Sequence, residues 1–287
     1  ALALLRDPPA GPCRVVLVER SGRFGRGLAY AGHWPRALLN VPAGRMSVDE
    51  RRPRDFCDFL ASRGLPAHEA EFAPRAVYGD YLATRLEQGV AAAPARLTFE
   101  RLADTVVEAT ESRAERAWQL RLAGGASLQA DLVVLALGHE APAGPPSLRA
   151  LEGSGLYVAN PWLDAVDAGS TVAGRRVLLV GTGLTMADTA CALMESRQPP
   201  REIVAVSRRG LLSRPRPPGA AGACAAAALD LRALRRETTA RGLVAALRRH
   251  VEAAEAEGVG WRAVIAAVRE QVPDLWHRLD TAERHRF

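Results

Sequence analysis

Val177–Met194 reads VLLVGTGLTMADTACALM, and Ile203–Gly210 follows it with IVAVSRRG. The pattern predicts a buried strand, a glycine turn and a helix, and then a second strand that ends in two arginines. In a βαβ nucleotide-binding unit, the first glycine makes the tight turn and the second lets the backbone approach a pyrophosphate. The pyrophosphate then faces the free N–H groups of the helix N-terminus. This stretch therefore predicts a dinucleotide site made by Gly181, Thr182, Gly183, Leu184 and Thr185.

The glycine fingerprint is degenerate at its third position. Met186 stands where G-x-G-x-x-G has its last glycine, and Ala187 comes just after it. A lone G-x-G also occurs in turns with a purely structural role, and this alternative stays open. The strand before the turn, the apolar helix after it and the second strand favour the dinucleotide site.

The end of the second strand favours NADP(H) over NAD(H). An NAD site has an acidic residue at this point, whereas this chain has Ser207, Arg208 and Arg209. Guanidinium groups match the 2′-phosphate of NADP(H) in charge and geometry. We therefore predict that these three residues bind that phosphate.

Composition excludes several classes of protein. The chain has 287 residues, of which 48% are hydrophobic and 24% charged, as expected for one or two globular domains. All 38 basic residues are Arg, which excludes a Schiff-base lysine and a P-loop. The net charge is +6, but the arginines are scattered along the chain, so we predict no nucleic-acid binding. The sequence also lacks an apolar run long enough to cross a membrane.

The four cysteines predict neither a metal site nor a disulfide framework. Cys13, Cys57, Cys191 and Cys224 stand alone, without a C-x-x-C pair or a Cys/His spacing typical of metal ligands. Reduced thiols in a cytoplasm are the simpler interpretation. Since no signal peptide opens the sequence, we predict a cytoplasmic protein.

The start of the chain predicts part of another nucleotide-binding unit. ALALLRDPP has the pattern of a helix end, and Arg14–Arg20 (RVVLVER) has that of a strand. In a Rossmann unit, an acid at the end of the second strand accepts hydrogen bonds from the adenosine ribose, and Glu19 fits that position beside Arg20. The glycine turn of such a unit would lie before residue 1. An ordinary strand with a surface glutamate is the alternative.

Residues 21–52 predict an ordered loop. They are rich in Gly, Pro and Asn but also carry apolar side chains such as Tyr30 and Met46, too many for a disordered segment. A long loop of this kind inside a compact domain is typical of a functional loop packed over a ligand. Two amphipathic helices are predicted next, over Asp55–Ser62 and Val77–Gln88.

Residues 96–137 have the periodicity of strands. They predict a three-stranded antiparallel meander, with Gly124-Gly125 as a hairpin turn, that runs into a buried parallel strand at Leu132–Leu137. Gly138 ends this strand where parallel sheets bind ligands. His139 is a candidate base, although a lone loop histidine more often has no catalytic role.

The remaining segments predict a hinge and a helical region. Residues 141–174 are rich in Pro and Gly and contain Asn160-Pro161-Trp162, which has the composition of a hinge between domains. After the prolines at 215–218, apolar stripes predict helices at about 225–240, 242–257 and 261–271.

Several of these stretches form an ordered series of motifs, which are GRGLAY (Gly25–Tyr30), LLNVPAGRMS (Leu38–Ser47), PR-x-x-YGDYL (Pro74–Leu82), DLVVLALG (Asp131–Gly138), NPW (Asn160–Trp162), VGTGLTMAD (Val180–Asp188) and SRRGLL (Ser207–Leu212). In this series the chain resembles a bacterial family of FAD/NAD(P)-binding proteins that includes an FAD-dependent urate hydroxylase. It is similar, more distantly, to flavin N-hydroxylases and other monooxygenases with two dinucleotide domains.

The resemblance implies an α/β protein with two Rossmann-like dinucleotide-binding domains. An FAD domain would span residues 1–160, an inserted NAD(P) unit 161–215, and a helical region at 216–287 would complete the domains. Members of the family extend beyond both ends of this chain. The residues that the resemblance and the first strand assign to FAD are Glu19, Arg20, Gly25, Gly27, Leu28, Ala29, Tyr30, Asn40, Val41, Met46 and Gly138.

The predicted function is that of an FAD-dependent NAD(P)H oxidoreductase, a monooxygenase acting on a small molecule with O₂. The cofactors would be FAD and NADP(H), and the sequence assigns no catalytic residue. Two alternatives stay open: a flavin reductase that makes no oxygenated product, and a binding module without turnover. The sequence leaves the substrate and the oligomeric state undetermined.

Overall fold

The structure is a computed structural model that describes residues 1–31, 34, 36–114, 116–138, 143–161, 172–213 and 232–286. The predictions for His139, Trp162, the prolines at 215–218, Cys224 and the start of the helix at 225 lie outside these residues. The chain divides into two compact units, Ala1–Ser213 and Arg214–Phe287, and each is described by itself.

The first unit contains both helices and strands, and the described part of the second unit is helical. The helices are α1 (Leu2–Arg6), α2 (Asp55–Ser62), α3 (Arg75–Ala91), α4 (Leu184–Met194), α5 (Arg232–Arg236), α6 (Ala240–Ala256), α7 (Trp261–Arg278) and α8 (Thr281–Arg286). The strands are β1 (Cys13–Val18), β2 (Leu97–Leu102), β3 (Val106–Ser112), β4 (Ala117–Leu122), β5 (Ser127–Ala130), β6 (Arg176–Val180) and β7 (Glu202–Val206).

Strands β1 and β2 form a parallel pair, with Cys13 opposite Leu97 and Val18 opposite Leu102. The ladder continues one step further, because the Glu19 N–H donates to the Leu102 carbonyl at 3.0 Å. The sequence pattern assigned residues 97–102 to the antiparallel meander, which is wrong. Their partner is a strand more than eighty residues away, and local periodicity carries no information about such a pairing.

The antiparallel meander is confirmed for β3, β4 and β5, which pair in that order. The predicted hairpin turn joins β4 to β5, with Gly125 at φ +88°. This left-handed conformation is the one that a glycine adopts without steric cost.

The segment Leu132–Leu137 is not the buried parallel strand that its composition predicts. It has no regular secondary structure, and Leu132, Val134, Leu135 and Leu137 are 73–82% exposed. A strand needs a neighbour to accept and donate its backbone hydrogen bonds. Within the described part of the chain no strand pairs with this segment.

Strands β6 and β7 flank helix α4 and form the predicted βαβ unit. They pair in parallel from Arg176 opposite Glu202 to Val180 opposite Val206. The prediction of a buried first strand is wrong for one of its faces, because Leu178 and Val180 are 60% and 59% exposed. In the described residues this sheet has only the strands β6 and β7. Successive side chains of a strand point to opposite faces of its sheet, so every second side chain of β6 is left in solvent.

The main core of the first unit lies between α2 and α3, as their apolar stripes predict. Phe56 and Tyr81 are fully buried, with ring centroids 5.0 Å apart. Phe56 also packs edge-on against Tyr78, at 5.0 Å and 89°. Such tilted and edge-to-face contacts between rings add to the free energy gained by burying them. The packed α2–α3 pair supports the loops that contain GRGLAY and LLNVPAGRMS.

The second unit buries one face of each of its longer helices. Its core consists of Leu234, Ala246, Ala254, Val264, Val268 and Leu275. The Glu283 carboxylate, on α8, accepts a hydrogen bond from the Ala240 N–H at the start of α6, at 2.9 Å. A carboxylate at a helix N-terminus is favoured by the helix dipole and by the unpaired N–H groups there.

Helix α7 is longer than the pattern indicated. It continues through Pro273 to Arg278, although a proline removes one backbone donor and usually ends a helix.

Candidate functional site

The glycine turn of the βαβ unit has an open backbone that is left-handed at its first glycine. Gly181 has φ +114°, and its N–H donates to the Val206 carbonyl at 2.7 Å, which joins the turn to β7. Gly183 precedes the first residue of α4. A Cβ added at Gly181 or Gly183 would meet no atom within 4 Å, so the backbone at the helix N-terminus is open to a ligand. Open N–H groups at this point form an anion site in βαβ units.

The structure brings the predicted phosphate-binding residues to this turn. Ser207, Arg208 and Arg209 directly follow β7, and the Ser207 Oγ lies 2.8 Å from the Thr182 Oγ1. Both arginines are exposed, and within the described part of the chain neither forms an ion pair. Leu184 and Thr185 occupy the first turn of α4. These residues therefore lie together at the carboxyl ends of β6 and β7, where the sequence pattern predicts them.

Glu19 lies at the carboxyl end of β1, where the prediction places it, and it also stabilises the turn that follows. Its Oε2 accepts hydrogen bonds from the Ser21 N–H at 2.8 Å, the Ser21 hydroxyl at 2.6 Å and the Arg23 N–H at 3.1 Å. Arg20 is exposed beside it. The carboxylate is held in place before any ligand binds.

Ala103 is a neighbour of this turn that the sequence did not indicate. A Cβ added at Gly22 would lie 3.5 Å from the Ala103 Cβ, so the end of β2 borders the Glu19 turn. The parallel pairing of β1 with β2 produces this proximity, and a correct pairing of the two strands would have been the signal for it.

The GRGLAY segment lies on helix α3, where three consecutive residues contact it. The Tyr78 ring packs against Tyr30 at 4.9 Å, and Asp80 pairs with Arg26 at 2.5 Å. Between them, a Cβ added at Gly79 would overlap the Tyr30 carbonyl oxygen. The YGD sequence of α3 is therefore the surface on which this segment rests.

The other predicted residues of GRGLAY belong to one short turn. Gly27, at φ +64°, precedes the 3-10 helix Leu28–Tyr30, which contains Ala29. Gly25 has φ +85°, and a Cβ there would lie 3.3 Å from the Ala83 Cα on α3. The two glycines are required because the backbone is left-handed at both positions.

Replacing Gly79 by alanine should destabilise the protein although alanine is the better helix former. Alanine gains about 1 kcal/mol over glycine in a helix. The added Cβ would, however, overlap the Tyr30 backbone oxygen, and overpacking of this kind costs about 1–3 kcal/mol. Denaturant unfolding should show a net loss of stability for Gly79→Ala.

Gly89→Ala, in the same helix, is the matched control. Its added Cβ would meet the Leu5 side chain at 3.3 Å rather than a backbone atom. A Gly79→Ala protein at least as stable as Gly89→Ala would contradict the close contact between α3 and the GRGLAY segment.

The LLNVPAGRMS loop is attached to the segment that leads into α3. The Leu39 N–H donates to the Ala73 carbonyl at 2.9 Å, and the Ala43 N–H to the Glu71 carbonyl at 2.8 Å. Met46 packs against the α2–α3 core, as does Tyr30 of GRGLAY. Asn40 is exposed and Val41 half-buried. The two loops predicted to line the flavin therefore share one support.

A buried polar network holds the end of this loop. The Tyr81 hydroxyl accepts a hydrogen bond from the Val48 N–H at 3.1 Å and donates to the Asp55 carboxylate at 2.7 Å. Arg85 binds both oxygens of Asp55, at 2.6 and 3.0 Å, and Arg52 pairs with it at 2.7 Å. Burial alone would raise the pKa of Asp55, but these partners lower it below its ordinary value.

The C-terminal end of helix α4 contacts the loop between β1 and α2, just before the LLNVPAGRMS segment. Glu195, at the C-terminal end of α4, pairs with Arg36 at 2.7 Å. Burial raises the pKa of Asp188 on the same helix, and the nearby charge of Arg75 opposes this shift. Helix α4, which follows the glycine turn, is therefore in contact with the elements that carry the predicted flavin loops.

Gly138 is predicted to close the flavin site, but no contact in the described part of the chain joins it to the other predicted residues. It has φ +69° at the end of the exposed segment Leu132–Leu137. A role in closing a flavin site would need this segment to be paired in a sheet.

The described residues contain no group of His, Cys, Asp and Glu side chains able to hold a metal ion. Three cysteines in this part of the chain, Cys13, Cys57 and Cys191, are free thiols. Among the helices that the structure describes, none is long and apolar enough to cross a membrane.

The model of a family described as FAD-NAD(P)-binding matches residues 1–140. The match identifies this part of the chain as a FAD-NAD(P)-binding domain within an α/β fold. It confirms the predicted cofactors at the level of that description, FAD and NAD(P). No curated protein sequence matches the chain.

The solved structures that match part of this chain include flavoenzymes of much greater length. NADP⁺-bound cyclohexanone monooxygenase from Rhodococcus sp. Phi1 is 17% identical, with a TM-score of 0.41, over 68% of this chain and 38% of that one. OTEMO in complex with FAD and NADP is 15% identical, with a TM-score of 0.41, over 70% of this chain and 39% of that one. The chain thus spans about two fifths of the length of these structures, 38–39%.

Proposed function

We propose that this chain is the nucleotide-binding part of an FAD-dependent NADPH oxidoreductase, a monooxygenase that acts on a small molecule. One observation carries the proposal. An open glycine turn followed by Ser207-Arg208-Arg209 lies in the same compact unit as a FAD-NAD(P)-binding domain, within Ala1–Ser213. Two dinucleotide sites in one unit are what a reductive flavoenzyme needs.

The FAD site, in this proposal, is built on β1 and α3. Glu19 has a fixed carboxylate at the end of β1 and would accept hydrogen bonds from the adenosine ribose. The GRGLAY and LLNVPAGRMS segments would flank the flavin. Both are anchored to α3, by Tyr78–Asp80 and by the Tyr81 hydroxyl.

The NADPH site, in this proposal, is the βαβ unit of β6, α4 and β7. The pyrophosphate would face the open N–H groups after Gly181 and Gly183. Arg208 and Arg209 are exposed and unpaired within the described residues, and they would bind the 2′-phosphate.

Bound FAD would supply the redox chemistry, which is hydride acceptance from NADPH and electron transfer to O₂. This chain's own residues position the two nucleotides and hold the loops around them. We assign no side chain to acid or base chemistry, so positioning is the contribution that the protein makes.

From the ordered motifs, we propose that the chain belongs to the family that includes FAD-dependent urate hydroxylase. We also propose that the protein is bacterial and cytoplasmic. We expect neither nucleic acid nor a membrane as a partner.

Anaerobic addition of NADPH to the FAD-loaded protein tests the proposed function. We expect the visible flavin absorbance to disappear on addition of NADPH and to return when O₂ is admitted. An oxygenated product formed from one of a set of purine and amine substrates would identify the monooxygenase.

Two other outcomes would select the alternative functions. Substrate-stimulated NADPH oxidation without an oxygenated product indicates a flavin reductase. A protein that binds both nucleotides, with a flavin absorbance that NADPH leaves unchanged, is a binding module.

A further inference from the structure

Thr182 lies between the two glycines of the turn, and its hydroxyl connects the turn to the segment that carries the arginines. The Thr182 Oγ1 is 2.6 Å from the Leu211 carbonyl oxygen and 2.8 Å from the Ser207 Oγ. The Gly210 N–H donates to the Ser207 Oγ at 3.1 Å. These four groups, which we name the hydroxyl bridge, join residues 207–211 to the glycine turn.

The hydrogen atoms of the hydroxyl bridge can be assigned in one consistent direction. A carbonyl oxygen only accepts, so the Thr182 hydroxyl donates its single proton to Leu211. The Thr182 oxygen is then free to accept the proton of the Ser207 hydroxyl. The Ser207 oxygen in turn accepts from the Gly210 N–H. Each of the two hydroxyl groups donates its proton once and accepts one hydrogen bond, so the donors do not conflict.

Arg208 and Arg209 lie inside the segment that the bridge closes. Their backbone is held at Ser207 on one side and at Gly210 and Leu211 on the other. Both side chains are exposed, and within the described part of the chain no carboxylate binds either of them. The bridge therefore restricts the backbone under two guanidinium groups that are free to take a phosphate.

We propose that Thr182 is a specificity-determining positioning residue, which holds Arg208 and Arg209 ready for the 2′-phosphate of NADPH through Ser207 and Leu211. The inference rests on the proposed NADPH site. Binding to a segment that is already ordered avoids the entropy cost of ordering it at that moment. This lower entropy cost strengthens the binding only of a ligand that contacts the arginines. It therefore favours NADP(H) over NAD(H).

Titration calorimetry of the whole chain with NADP⁺ and with NAD⁺ tests the inference. Thr182→Val keeps the shape of the side chain and removes its hydroxyl, and Thr182→Ser keeps the hydroxyl as the control. We expect Thr182→Val to weaken NADP⁺ binding about fivefold to tenfold, the factor produced by losing one or two hydrogen bonds of ordinary net strength. NAD⁺ binding should weaken less than NADP⁺ binding, and Thr182→Ser should weaken NADP⁺ binding less than Thr182→Val does.

A double-mutant cycle shows whether Thr182 acts through the arginines. If it does, Thr182→Val should have no further effect on NADP⁺ binding in a protein that already carries Arg208→Ala and Arg209→Ala. An undiminished effect in that background would overturn the inference, as would equal losses for NADP⁺ and NAD⁺, which would place the role of Thr182 in the turn itself.

The binding of NADP⁺ and NAD⁺ to the natural protein shows whether the inference alone fails or the proposed function fails with it. If it binds NADP⁺ no better than NAD⁺, the proposed NADPH site and the inference both fail. If it prefers NADP⁺ and Thr182→Val keeps that preference in full, the inference alone fails.

Discussion

Replacing Arg85 by methionine should lower the free energy of unfolding by about 3 kcal/mol, because it removes the main partner of a buried carboxylate. Asp55 is 1% exposed and Arg85 18% exposed, and two hydrogen bonds connect them at 2.6 and 3.0 Å. Methionine keeps an apolar chain of similar length but removes the guanidinium, whose central carbon lies 5.2 Å from the centroid of the Tyr81 ring. The loss should fall at the low end for a broken buried pair, since Arg52 still binds Asp55 at 2.7 Å.

Acid should reduce the difference between this variant and the natural protein. The pKa of Asp55 is lowered in the folded state, so its contribution to stability is present above the unfolded value of about 3.9 and is lost as the pH falls through the lower folded value. Urea unfolding at neutral pH and below about pH 4 measures both effects. We expect a large difference between the two proteins at neutral pH and a smaller one in acid.

Arg14→Met is the matched control for this prediction. Arg14 also binds a carboxylate through two nitrogens, at 2.7 and 2.8 Å from Glu100, but both side chains are exposed. Exposed pairs contribute much less to stability than buried ones, because water and salt screen their charges. Similar losses in Arg14→Met and Arg85→Met would show that the burial of Asp55 does not strengthen its ion pair, which would contradict the prediction.

Replacing Arg208 and Arg209 together by alanine should weaken NADPH binding about 100-fold and leave NADH binding nearly unchanged. Two charge-assisted hydrogen bonds to a phosphate account for a factor of this size. The two side chains are exposed, so their removal should leave the fold intact. Dissociation constants for the two reduced nucleotides, measured by fluorescence titration, give the comparison.

Arg175→Ala with Arg176→Ala is the control at the opposite end of the same parallel pair. These adjacent arginines are also exposed, but they lie at the amino end of β6. They should leave the binding of both nucleotides unchanged. Equal losses of NADPH and NADH in the Arg208/Arg209 variant would remove the 2′-phosphate assignment.

Features that depend on nearby residues could be predicted from the sequence. The apolar stripes of α2 and α3 identified Phe56 and Tyr81 as core residues, and both are fully buried. The glycine spacing identified the turn after β6, and Gly181 has the left-handed backbone that such a turn uses. In both cases a few neighbouring residues determine the conformation.

Features that depend on distant residues could not be predicted in this way. The apolar composition of Leu132–Leu137 predicted a buried strand, yet burial depends on a pairing partner that composition does not specify. The contact of Gly79 with the Tyr30 carbonyl joins two motifs separated by about fifty residues. The hydroxyl bridge likewise depends on the parallel pairing that brings Thr182 to Ser207.

The central claim, that one unit binds FAD and NADPH at separate places, is tested most directly by titrating NADP⁺ into the FAD-saturated protein. We predict one molecule of NADP⁺ bound per chain while FAD remains bound. Arg208→Ala with Arg209→Ala should greatly weaken that binding. Displacement of FAD by NADP⁺, or an absence of NADP⁺ binding once FAD is present, would contradict the claim.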